Sequence, residues 1–260
     1  MAGDELRGKV VLVTGASRGI GRAVARRFGR ARCRVAVTAR QAATVDRVSD
    51  EVRAAGGEAL AIAADLAAPD AADQLLDAVE AGLGPVEILV NNAGVYHLGP
   101  TTSLDDATWH GLLAVNLHAP FSLCRGVLPH MAARGWGRIV NVASTSATKG
   151  TAEETAYTVS KHGLLGLTRC LAKEFAGRGI TVNALCPWFV RSDMLDWIVA
   201  EEARRQAISA EAVLEQFRML SPQQRILEPG EIADLAWYLC TEGARGVNGQ
   251  ALVIASGFYA

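Results

Sequence analysis

Seven short apolar runs, at 10–13, 34–38, 59–63, 88–90, 139–142, 181–184 and 252–254, each stand beside a longer stretch of helical period. Mostly apolar runs of three to five residues suit strands covered on both faces, and helices between them supply the crossovers that parallel pairing needs. The expected fold is therefore α/β, a single-domain, doubly wound parallel sheet of Rossmann type with helices on both faces. No repeat or linker-like tract divides the 260 residues, half of which are hydrophobic, so one domain spanning 1–260 is expected.

The charge balance excludes some partners. Twenty-six basic and 27 acidic residues are mixed along the chain for a net charge of -1, which leaves no face to attract nucleic acid or anionic lipid. Residues 1–9 are polar where a secretory signal needs an apolar core, and no uninterrupted apolar stretch approaches the roughly 20 residues of a membrane span. A soluble cytoplasmic protein is expected. Cys33, Cys124, Cys170, Cys186 and Cys240 are odd in number and widely spaced, which predicts buried free thiols and no metal site.

The first apolar run leads straight into Thr14-Gly15-Ala16-Ser17-Arg18-Gly19-Ile20-Gly21, and a helical pattern begins there. Glycines at such a turn let backbone N–H groups approach a pyrophosphate, and the helix N-terminus adds partial positive charge. At the end of the second run Ala39 stands where an NAD site would offer a carboxylate to the ribose 2′-hydroxyl. Arg40 follows it and Arg18 lies in the turn, so two guanidinium groups can grip a 2′-phosphate, which points to NADP(H). Asp65 is placed to accept from the adenine amino group and Asn91-Asn92-Ala93-Gly94 to line its ribose, though either could instead cap a turn.

Hydride exchange with a carbonyl needs an acid beside the oxygen. Tyr157 can supply it, with Lys161 one helical turn away as the cation that brings a phenol of ordinary pKa near 10 into use. Leu164, Leu165, Leu167, Leu171 and Phe175 form one face of the helix carrying this pair, and Gly177 and Gly179 can end it. Ser144 follows the fifth run, at a strand end where open sheets place ligands, and its hydroxyl can hold the substrate oxygen. Asn116, inside a helical segment at 109–131, is an amide in apolar surroundings that could fix a water leading from Lys161 to solvent.

Over its whole length the sequence resembles the short-chain dehydrogenases/reductases. The matching pieces are the 14–21 turn, Asp65, Asn91-Asn92-Ala93-Gly94, Asn116, Ser144, the Tyr157-x-x-x-Lys161 pair and Cys186-Pro187 with Ser192 beyond. The resemblance implies that Tyr157 donates the proton, that Lys161 lowers its pKa and binds the nicotinamide ribose, that Ser144 orients the carbonyl and that Asn116 supports a proton relay. It extends the cofactor set to Ser17, Ile20, Leu66, Ala93, Pro187, Val190 and Ser192, and implies a dimer or tetramer built on the helices carrying Asn116 and Tyr157. The stretches at 137–144, 160–163 and 179–183 look most like bacterial ketoreductases of aromatic polyketide (antibiotic) pathways and 3-oxoacyl-carrier-protein reductases.

Two departures bear on the substrate. Pro187-Trp188 stands where the family has Pro-Gly, so an indole either stacks on an aromatic substrate or turns outward. Val95-Tyr96-His97 replaces a sequence in which carrier-dependent relatives often carry a basic residue, which favours a free polyketide ketone over a tethered one. Tyr96, His97, Trp188, Phe189, Met194 and Trp197 are expected around a bulky apolar small-molecule ketone, or else serve as core or oligomer contacts. The segment 191–228 holds two amphipathic pieces, near 194–204 and 211–220, and reads as a helical lid or as an ordinary surface pair. The alternatives to a polyketide ketoreductase are a 3-oxoacyl-carrier-protein reductase and a non-catalytic NADP(H)-binding regulator, the latter disfavoured by the intact Ser144, Tyr157 and Lys161.

Overall fold

A computed structural model of the chain describes residues 5–259. All seven apolar runs are strands: β1 (Val10–Thr14), β2 (Arg34–Ala39), β3 (Glu58–Ala63), β4 (Ile88–Asn91), β5 (Gly137–Val142), β6 (Ile180–Pro187) and β7 (Ala251–Ile254). They form one parallel sheet in the order β3-β2-β1-β4-β5-β6-β7. β6 runs three residues beyond the apolar stretch at 181–184, because β7 pairs with it as far as Pro187↔Ile254. The strand order reverses at β1, which has β2 on one side and β4 on the other, and a crevice opens beyond the strand ends there.

Successive side chains of a strand point to opposite faces, so each strand serves two cores. Val11 and Val13 of β1, with Val35 and Val37 of β2, pack under α1 (Gly19–Arg30), α2 (Ala42–Ala54) and α9 (Pro229–Tyr238). Val10 and Leu12 face the other way, with Leu89 and Ile139, against α3 (Ala71–Leu83) and α5 (Ala119–Arg134). The twenty-one-residue α6 (Thr155–Phe175) joins that second layer, its Leu164 and Leu165 packing with Ala184 and Cys186 of β6. Each fully buried Val or Leu contributes roughly 1.5–3 kcal/mol, so the periodicity seen in the sequence is also where the stability lies.

α6 ends close to where its glycines suggested: Gly177 lies in a short 3₁₀ turn, and Gly179 takes the left-handed conformation at φ +71. A Cβ on Gly179 would collide with the carbonyl oxygen of Gly135, so glycine is required there for space as well as for φ. Two expectations need correction. Four cysteines are buried free thiols, but Cys170 sits on the outer face of α6 and is exposed. The segment 109–131 is not one regular helix: α4 (Asp106–Leu113) and α5 are joined by a π-helical turn at Ala114–His118. Asn116 lies in that turn, where its side chain claims the backbone of Val95 on a neighbouring loop. By length and composition the helical run Asp106–Arg134 would suffice to cross a membrane, yet here it lies against α3 and α6.

The 191–228 segment folds as two helices, α7 (Asp193–Gln206) and α8 (Ala210–Leu220), with Ser192 and Ser209 capping their N-termini. They form a small core of their own from Leu195, Val199, Val213 and Ile226. That core is separate from the sheet, and Phe189 and Phe217 pack on its edge.

Candidate active site

Every residue singled out above as a cofactor, substrate or catalytic candidate, except Gly21, Asn91 and Asn116, lines one cleft of about 1410 Å³ at the sheet's switch point. Gly21 lies behind the turn. A Cβ there would meet the Gly15 carbonyl and sit 2.5 Å from Asn92 Nδ2, so Gly21 lets α1 approach β4 closely and makes no part of the cleft wall.

The turn fits a phosphate-bearing ligand. Arg18 occupies the N-cap of α1 in extended conformation and makes no side-chain cap, and the first turn of the helix carries no acid. The N–H groups and partial positive charge at that end are thus left for an anion. Gly15 (φ +62) is held against the loop after β4, where a Cβ would come 2.7 Å from Ala93 Cα. Thr14 and Asn92 fix this approach: Thr14 Oγ1 accepts from the backbone of Asn92 and Ala93 (both 3.0 Å), and Asn92 Nδ2 donates to the carbonyls of Thr14 (2.9 Å) and Gly15 (3.0 Å). Asn91 turns inward and donates to Asn141 (2.8 Å), so of the adjacent asparagines only Asn92 reaches the cleft. Asp65 caps its loop by accepting from Ala67 N (3.1 Å) while still lining the cleft.

Arg40 is exposed on the cleft wall and has no ion pair among the described residues. Arg18 is engaged: its guanidinium pairs with Asp193, the first residue of α7, at 2.6 Å. Both side chains of that pair are mostly exposed, so it contributes at most about 1 kcal/mol.

At the inner end Ser144, Tyr157 and Lys161 come together. Ser144, extended at the end of β5, caps a 3₁₀ turn, its hydroxyl accepting from Ser146 N at 3.1 Å. Tyr157 and Lys161 stand one turn apart on α6, both buried, with the Lys161 Nζ 5.6 Å from the phenol ring centroid and donating to the Val142 carbonyl at 3.0 Å. Burial pushes the Tyr157 phenol up to about 12 and Lys161 down to about 8; the Ser144 hydroxyl draws the phenol back, and the nearby Glu154 carboxylate adds to the rise. The same burial that surrounds the pair weakens the cation meant to act on the phenol.

Asn116 is buried, and its amide is spent on direct contacts: Oδ1 accepts from Val95 N (2.8 Å), while Nδ2 donates to Val95 O (2.9 Å) and Ser160 Oγ (3.1 Å). Its side chain thus positions the loop after β4.

The outer end is aromatic. Tyr96 packs edge-on against Tyr157 (centroids 4.8 Å apart) and against Trp197 of α7 (5.8 Å). Trp188 neither stands free in the cleft nor turns away, because its ring stacks on Phe258 at 4.4 Å and 6° while still lining the wall. Phe189 stacks on Phe217 of α8. His97 and Met194 complete the mouth. Sequence reasoning missed four participants: Glu154, which binds Tyr96 and Ser146; Lys149, which lies over Phe258 and Tyr259; and the pair Arg205 and Glu153, which ties the far end of α7 to the loop before α6. Glu154 had a signal, since it precedes Tyr157 by three positions at a helix start; the others did not.

Across residues 9–203 the sequence matches the family described as short chain dehydrogenase. The chain belongs to the short-chain dehydrogenase family. It is 35% identical over 254 residues to the 3-oxoacyl-[acyl-carrier-protein] reductase of Pseudomonas aeruginosa, covering 98% of each protein. Among solved structures it is similar to a variant of actinorhodin polyketide ketoreductase crystallised with NADPH (TM-score 0.93, 38% identity, 96% of this chain and 97% of that one). It is also similar to L-sorbose reductase of Gluconobacter frateurii, solved with NADPH and L-sorbose (TM-score 0.93, 28% identity, 100% and 99%). As an oxidoreductase of this family, the chain uses its dinucleotide fold for catalysis, which removes the non-catalytic regulator from consideration.

Proposed function

We propose that this enzyme is an NADPH-dependent ketoreductase acting on a ketone of a bulky, polycyclic aromatic polyketide intermediate, with Tyr157 as proton donor. The observation that carries the reading is the joining, in one cleft, of an uncapped α1 N-terminus and the buried Ser144, Tyr157 and Lys161. NADPH, when bound, supplies the hydride. Gly15, Gly19 and the α1 N-terminus would hold its pyrophosphate, Arg40 its 2′-phosphate, joined by Arg18 once that side chain leaves Asp193, and Lys161 would hold its nicotinamide ribose.

Tyr157 suits reduction in particular. With its pKa near 12 the phenol keeps its proton at neutral pH, so the acid needed to quench a developing alkoxide is present in full. Ser144 sits beside it to orient the carbonyl oxygen. The ring walls formed by Tyr96, Trp188, Phe189 and Trp197 suit a flat apolar substrate, and the likeness to actinorhodin polyketide ketoreductase supports that class. Self-association fits the outer surface of α5 and α6, where exposed Phe121 adjoins an apolar groove containing Leu128, Leu171 and Phe175.

One observation favours a second reading, reduction of 3-oxoacyl thioesters on a carrier protein. Lys149 lines the same cleft and offers the cation that His97 does not, although it lies over two aromatic rings at 4.7 Å. NADPH consumption measured against polycyclic aromatic ketones, simple ketones and 3-oxoacyl thioesters, with Tyr157→Phe as control, separates the readings. Polycyclic ketones should give the highest kcat/KM. A clear advantage for carrier thioesters would reverse the preference, and an unimpaired Tyr157→Phe variant would remove the tyrosine from the chemistry.

A further inference from the structure

Glu154 occupies the N-cap position of α6 yet makes no side-chain cap to its own helix. Its carboxylate turns into the cleft, where Oε1 accepts from the Tyr96 hydroxyl (2.8 Å) and Oε2 from Ser146 Oγ (3.0 Å). Its neighbour Glu153 is neutralised by Arg205, but Glu154 has no cationic partner among the described residues. A half-buried carboxylate without a counter-charge is unfavourable unless its acceptor sites are filled, and an ionised carboxylate has about four of them. Tyr96 and Ser146 fill two. The carboxylate that carries the remaining lone pairs lines the cleft, three residues ahead of Tyr157 at the start of the same helix.

We infer that Glu154, held by Tyr96 and Ser146, is a specificity-determining residue that accepts a hydrogen bond from a hydroxyl group carried next to the ketone. The preferred substrates are then hydroxyketones and the product is a diol. This rests on the ketoreductase reading above and narrows it. A ketone bearing a carboxylate at that place would meet charge repulsion, and one bearing a methyl group would leave the acceptor unmatched. Two chemical sources carry the required group, an aromatic polyketide hydroxyketone and a sugar-derived ketose, and isosteric pairs distinguish them.

The experiment measures kcat/KM with NADPH for α-hydroxytetralone against α-methyltetralone, and for hydroxyacetone against butanone, in wild type, Glu154→Gln, Glu154→Ala and Tyr96→Phe. Wild type should prefer the hydroxylated member of at least one pair by about 10- to 100-fold, the range for a hydrogen bond to a charged group. The pair that shows the larger preference names the source. Glu154→Gln should reduce the preference and Glu154→Ala abolish it. Tyr96→Phe, which frees an acceptor site without removing the carboxylate, should keep it. NADPH binding followed by its fluorescence certifies that each variant is folded. Equal kcat/KM within both pairs, or loss of the preference in Tyr96→Phe as complete as in Glu154→Ala, overturns the inference while leaving the reductase reading in place. Absence of NADPH turnover with all four ketones in wild type sinks both together.

Discussion

Replacing Lys161 with methionine tests the electrostatics of the buried pair without needing a substrate. The ammonium is almost wholly enclosed and its pKa falls from 10.5 to about 8 through desolvation. Folding therefore carries a penalty whenever the lysine is protonated. Between pH 8 and 10.5 the folded chain binds fewer protons than the unfolded one, so this group's contribution to stability rises with pH. The penalty is absent above the unfolded pKa and fully developed once pH falls below the folded value. A displacement of that size corresponds to about 3 kcal/mol in total, of which roughly 2.5 kcal/mol develops between pH 7 and pH 10. Methionine, of similar length and uncharged, removes the dependence but leaves the Val142 carbonyl without its donor, a loss that does not vary with pH. Urea unfolding of both proteins without cofactor at pH 7, 8, 9 and 10 gives the comparison. Wild type should gain about 2.5 kcal/mol on the variant across that range. Parallel stability curves would show that the lysine is hydrated in the folded state, and the argument from burial would fall.

Three further expectations follow from the site. Alcohol oxidation, which needs the phenolate of Tyr157, should rise about tenfold per pH unit between pH 7 and 10 while reduction stays nearly flat; an oxidation rate independent of pH would place the proton acceptor elsewhere. Arg40→Ala should weaken NADPH binding by about 10- to 100-fold and leave NADH binding within a few-fold, as titrated by fluorescence; equal losses for both would take Arg40 away from the 2′-phosphate. Gly15→Ala, with its φ of +62 and a Cβ 2.7 Å from Ala93 Cα, should lose at least about 1–3 kcal/mol of stability and bind NADPH more weakly, so an unchanged unfolding midpoint would refute the close approach of turn and loop.

Much of this architecture is legible in the sequence because it depends on local pattern. Val10, Val11, Leu12 and Val13 announce a strand buried on both sides, and Gly15 and Gly19 announce the turn that follows it, whatever the rest of the chain does. The two pieces of the 191–228 segment are visible for the same reason, their apolar faces being local, while the Ser192 and Ser209 caps go unread. What escaped depends on tertiary placement. The π-helical turn at Asn116 arises because a loop more than twenty residues earlier needs that amide, and nothing in the helical period records it. The upward push on the Tyr157 phenol follows from how deeply α6 is enclosed, which the Tyr-x-x-x-Lys spacing does not record. Arg18 reads as a free cation until α7 brings Asp193 to it across 175 positions.

The stack of Trp188 on Phe258 has a practical side. Phe258 and Tyr259 follow β7, with the Tyr259 hydroxyl near the Thr145 carbonyl at 3.4 Å, and so brace the cleft residues Trp188 and Thr145. Shrinking the Phe258 ring would therefore loosen Trp188 on the cleft wall and change which ketones fit, although residue 258 itself never meets the substrate.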